Sequence, residues 1–108
     1  MTTQNQIVDR LKILSALYSH GEGSDVVAQS LDKIVAQEIA TAQQQAAELE
    51  ADLQQFEAQY CMRSPAFYQR FRAGAFGDDA DFVEWEALYR LWCSVQDRLK
   101  ILLPSESN

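Results

Sequence analysis

Apolar residues recur along the chain at alternating spacings of three and four, in separate runs. In the first run Ile7, Leu11, Leu14 and Tyr18 share one face, which predicts a helix over residues 4–19. Ile13, Ala16 and Leu17 widen that face, so this helix is expected to be well buried. His20-Gly21-Glu22-Gly23-Ser24 stops it, with glycines suited to a left-handed C-cap and Ser24 suited to cap the next helix. The second run is Val35, Ile39, Ala42, Ala46, Leu49, Leu53, Phe56 and Tyr60, a heptad seam inside a stretch from Asp25 to Tyr60 that holds no Pro and no Gly. A helix over 25–60 would be roughly 50 Å long. That overhangs the core of a chain of this size, whose radius of gyration is about 13 Å. A partner helix is therefore expected along the seam, and the small Ala42 and Ala46 allow it to approach closely.

Ser64-Pro65 restarts the chain after Cys61-Met62-Arg63, with Ser64 as a cap and Pro65 at the first helical position. This predicts a short helix over 65–73 that ends at Gly74. Gly74 and Gly77 are both expected to take backbone angles that other residues enter at a cost. Asp81 and Glu84 have capping-box spacing, with Asp78 as the alternative cap. Phe82, Trp85, Tyr89, Trp92, Gln96, Leu99 and Leu103 then predict a helix over 81–102. Glu86 and Arg90 are placed for an i,i+4 ion pair. The polar end Ser105-Glu106-Ser107-Asn108 reads as a frayed tail. The fold class is all-α: one domain over residues 1–108, a long coiled-coil-like helix, a hairpin elbow, and a last helix packing back on the second. The N-terminal half of the long helix lies beyond the reach of the last one. A helical-bundle homo-oligomer is the expected outcome, with Val35, Ile39, Ala42 and Ala46 at its interface.

Charge narrows the function. The formal net charge is −7. Nucleic-acid binding draws on clustered Lys and Arg, which are sparse here, so that class is disfavoured. Residues 1–60 hold nine of the sixteen acids and three basic residues, an arrangement suited to attracting a basic protein. The lone histidine, His20, sits in a Gly-rich turn, away from any nucleophile–base pair, and no phosphate-binding loop occurs. Cys61 and Cys93 form no Cys-x-x-Cys pair, and with one histidine they offer too few soft ligands for zinc. No enzyme, cofactor or metal is expected. No apolar run approaches the length of a membrane span and the first residues lack the regions of a signal peptide, so the expected setting is the cytoplasm. Asp78, Asp79, Asp81, Glu84 and Glu86 lack the spacing of a calcium loop. Their reading is helix capping, with Asp78 and Asp79 as candidates for partner contact. The densest feature is aromatic: Phe67, Tyr68, Phe71, Phe76, Phe82, Trp85, Tyr89 and Trp92. It serves as core or as partner surface, with Phe67, Phe71 and Phe76 the candidate contacts.

Phe56-Glu57, Tyr60, Met62, Ser64, Phe67, Arg70-Phe71, Gly74, Gly77-Asp78, Asp81-Phe82 and Glu84-Trp85 together resemble a pattern in small helical proteins of bacteria and archaea. That pattern reads F-E-x-x-Y-x-M-x-S-x-x-F, then R-F-x-x-G-x-x-G-D, then D-F-x-E-W. Its bearers look like the antitoxin halves of toxin–antitoxin modules. The resemblance covers about residues 26–103 and departs at Cys61, where a Gly is expected, and at Ala75-Phe76. It implies a cytoplasmic, non-catalytic protein that neutralises a toxin enzyme by direct binding. The alternative is a homo-oligomeric coiled-coil scaffold or adaptor with no toxin partner.

Overall fold

The computed structural model describes residues 3–104; the tail from Ser105 onward lies outside the described residues. The chain is all-α, with α1 (Thr3–Ser19), α2 (Asp25–Tyr60), α3 (Ser64–Arg72) and α4 (Ala80–Leu102), and no strand among the described residues. No helix among them is long and apolar enough to cross a membrane. The residues pack as two compact units, and the division falls inside α2 after Ala36.

In the unit from Gln37 onward the seam of α2 meets α4. Ala42, Ala46 and Val95 form one buried cluster, extended by Leu49, Leu99 and Leu102. The alanines have no bulk of their own to offer, so what they supply is close approach for the leucines of α4. Leu53, Phe67 and Trp85 form a second cluster, surrounded by partly buried aromatics. The Glu86 carboxylate accepts from Arg90 Nε at 2.7 Å, the i,i+4 ion pair that the spacing predicts.

The unit up to Ala36 is built differently. α1 has no buried residue; Leu14 and Tyr18 are only half-buried. The expectation of a well-buried α1 is not met. Ile7, Val8, Leu11, Ile13 and Leu17 are all exposed, and so are Val26, Ile34 and Val35 on α2. The reason is geometric. A helix must lay its apolar stripe against another element to bury it, and this stretch has too few elements to close a core. Its order is local. Ser24 Oγ accepts from the Val27 N–H at 3.3 Å as the cap of α2, and the Tyr18 hydroxyl donates to the Ser24 carbonyl. Gly23 leaves room for the Tyr18 ring, where a Cβ would collide.

Three helices end in the same way. After α1, α2 and α3 one residue turns left-handed: Gly21 (φ 78°), Cys61 (φ 53°) and Gly74 (φ 83°). In each case the following N–H reaches back five residues: Glu22 to Leu17, Met62 to Glu57, Ala75 to Arg70, at 3.2, 3.3 and 3.0 Å. This is the Schellman termination, which favours glycine at the left-handed position. Cys61 is the exception, and it stands where the resembling proteins are expected to have Gly. Gly77 has no positive φ and open space around it, so its expected special conformation is not found. A Cβ in the left-handed region costs about 1–2 kcal/mol, partly offset by the entropy glycine loses on folding. Cys61→Gly is therefore expected to stabilise by about 0.5–1 kcal/mol and Gly74→Ala to destabilise by a similar amount, with Gly77→Val near neutral. Thermal melts of the three variants check this. A destabilised Cys61→Gly would mean that the weak thiol contact to the Ala58 carbonyl, 3.9 Å, outweighs the backbone.

Candidate functional site

The second cluster is organised by one polar contact. Trp85 is fully buried, and its indole N–H must find an acceptor there or forfeit the hydrogen bond it had in water. It finds Ser64 Oγ at 2.9 Å. Ser64 is itself buried, and its backbone N–H donates to Glu57 Oε2 at 2.8 Å. Ser64 therefore does not cap α3 with its side chain. The helix begins at Ser64 with Arg63 as an unassisted cap, and the hydroxyl is committed to α4 instead. Around this node the rings pack face to face or tilted. Phe67 lies 3.8 Å from Trp85 at 3°, and Phe56 lies 5.5 Å from it at 11°. Tyr60 also stacks on Trp85, centroids 5.7 Å apart at 23°, and its hydroxyl donates to Asp81 Oδ2 at 2.6 Å.

The residues singled out from the sequence separate cleanly. Phe67 is fully buried; Phe71 and Phe76 pack against it, and Phe76 also meets Phe82 at 4.8 Å. Of these three candidate partner contacts, Phe67 is core, with no exposed surface, while Phe71 and Phe76 pack on it and stay half-buried. Asp79, not Asp81 or Asp78, is the cap of α4, accepting from the Asp81 N–H at 3.0 Å. Asp78 is exposed. Of the interface candidates, Ala42 and Ala46 are buried within the chain against Val95 of α4, Ala42 completely. Ile39 is half-buried and Val35 exposed.

Sequence reasoning passed over a hollow beside the node. About 200 Å³ in volume, it is lined by Glu50, Glu57 and Arg63 together with Tyr89 and Trp92, and its buried members are Leu53 and Ser64. Glu50 Oε2 accepts from the Trp92 indole N–H at 3.0 Å. Burial pushes the Tyr89 hydroxyl up from its ordinary range, and the Cys93 thiol beside it adds to that, so Tyr89 stays neutral. The available signal was positional: Glu50 and Glu57 each follow a seam residue, Leu49 and Phe56, and so occupy the same flanking position in successive heptads. Elsewhere, Arg72 donates to the Tyr68 hydroxyl at 3.1 Å and sits over that ring, so it is held within the chain. No three of His, Cys, Asp and Glu converge as a metal site among the described residues. No protein-family model, curated protein or solved structure matches this chain.

Removing the acceptor should expose the dependence on Ser64. Ser64→Ala is expected to cost about 1–3 kcal/mol, the penalty of an orphaned buried N–H. In a Trp85→Phe background, which has no indole N–H, the same change should cost clearly less. Urea unfolding of the four proteins gives the comparison, and equal costs in both backgrounds would contradict the assignment. Tyr60 gives a pH signature. Its bond to Asp81, then burial, then the charges of Asp81 and Asp79 push the hydroxyl up to about 12. The folded state thus holds this proton more tightly than the unfolded chain. The stabilisation is complete below the unfolded value of about 10 and is lost as pH rises from there towards 12. The stability gap between wild type and Tyr60→Phe should therefore shrink across that window. A gap independent of pH would show that Tyr60 and Asp81 do not share the proton.

Proposed function

We propose that this chain is a non-catalytic protein-binding module, antitoxin-like, that neutralises a toxin enzyme by direct contact. The observation that supports the binding role is the state of the residues up to Ala36. Eight large apolar side chains stand exposed there on regular helices, and α1 has no buried residue. Exposed apolar patches of this kind mark interaction surfaces. The antitoxin-like part of the reading rests on the resemblance concentrated between Phe56 and Trp85. Of the residues that carry the resemblance, Glu57, Ser64, Phe67 and Trp85 bond or stack with one another in the node, and Tyr60 stacks on Trp85 and donates to Asp81.

A second reading, a homo-oligomeric scaffold, has its own support. Residues up to Ala36 carry four acids and three basic residues, so two copies of this surface would meet without strong repulsion. The charge that would lure a basic toxin lies further on, where twelve acids face six basic residues. Leu11 separates binding from folding, since it is 48% exposed and belongs to no core. Leu11→Asp is expected to keep the helical content and to weaken association at least tenfold, about 1.4 kcal/mol. Calorimetry against the product of the adjacent gene reads the antitoxin arm, and sedimentation of the chain alone reads the scaffold arm. A wild-type chain that remains monomeric and gives no heat with that product would overturn both.

A further inference from the structure

We propose that the hollow between Glu50, Glu57 and Trp92 is a socket for the guanidinium of an arginine side chain presented by a protein partner. This deepens the protein-binding reading and rests on it, but it concerns a different surface from the apolar face of α1. Four observations carry it.

The two carboxylates are held but not neutralised. Glu50 accepts from the Trp92 indole and Glu57 from the Ser64 backbone, both uncharged donors, and in each case the bond uses Oε2. The Oε1 atoms carry no hydrogen bond. Arg63 lines the same hollow and yet pairs with neither glutamate; among the described residues the ion pair is Arg90–Glu86. The hollow therefore holds two fixed negative charges against one exposed, unattached positive charge. Its electrostatic deficit is a cation.

The walls select which cation. Trp92 spends its N–H edge on Glu50 and stacks near Tyr89, centroids 6.0 Å apart at 20°. A guanidinium is planar, stacks on aromatic faces and forks onto carboxylates, whereas an ammonium is a compact, strongly hydrated point charge. A volume of about 200 Å³ is small for a drug-sized ligand, whose pockets run from about 300 Å³ upward. It suits the head of one long side chain. A second hollow, on the face of α2 near Gln45 and Asp52, serves as the contrast. It has no aromatic wall, and its own Arg98 already donates to Gln45.

The test uses the full chain labelled with ¹⁵N and follows the two indole N–H resonances. N-acetyl-arginine methylamide is the probe, with the corresponding lysine and aspartate derivatives beside it. The expected result is a saturable shift of the Trp92 resonance in the millimolar range with the arginine derivative. The lysine derivative should bind several-fold more weakly, and Trp85, buried on Ser64, should move much less. Glu50→Gln and Glu57→Gln keep an acceptor for Trp92 and Ser64 while removing charge. Each should weaken binding about tenfold, which is about 1.4 kcal/mol, and the double variant should abolish it. Arg63→Ala should strengthen it. An absent shift, stronger binding of the aspartate derivative, or indifference to both glutamine variants would overturn the socket. None of these results bears on Leu11 or on association with the neighbouring gene product, so failure here and failure of the protein-binding reading are separable.

Discussion

A tryptophan with no exposed surface has one N–H to satisfy, and the compact part of this protein is arranged around doing so. Ser64 supplies the acceptor, Glu57 fixes Ser64 by its backbone, and Phe67, one turn later, lies flat on the indole. α2, α3 and α4 are tied at a single point as a result. The turn that delivers Ser64 there is the left-handed residue Cys61, accepted at some cost because the alternative is an orphaned buried donor. From this point α4 runs along α2 so that Val95, Leu99 and Leu102 close over Ala42, Ala46 and Leu49.

Nothing equivalent exists among the described residues up to Ala36. α1 has the apolar periodicity of a core helix without any side chain enclosed. The same sequence rule therefore has two outcomes in one chain. Where an aromatic node and a second long helix are available, the seam becomes core. Where they are not, it stays exposed. The acidic hollow beside the node and the apolar face of α1 present different chemistry.

How much could be read in the residues follows from what periodicity encodes. The seam from Val35 to Tyr60 names the residues of α2 that face another helix, and Leu49, Leu53 and Phe56 do so. It carries no information on whose helix arrives. Ala42 and Ala46 were equally compatible with a second chain and with α4. Phe76, flanked by a loop, had no periodic neighbours to mark it as core, and it packs on Phe67 through tertiary proximity alone. Ser64 read as a cap because local chemistry favours one, yet the demand of Trp85, 21 residues away, prevailed. Cys61 stood out in the sequence as a departure from the resembling pattern, and in the structure it is the one of three left-handed helix ends without glycine.

Hydrogen exchange of the full chain, read segment by segment at low and high protein concentration, tests the central claim most directly. Amides of α3, α4 and the C-terminal part of α2 should be protected together at any concentration, because the Ser64–Trp85 node holds them as one unit. Amides of α1 should exchange fast in dilute solution and slow when a partner or a second copy covers them. Protection of α1 equal to that of α4 in the dilute monomer would contradict the account, because it would require a core that residues 3–36 do not have.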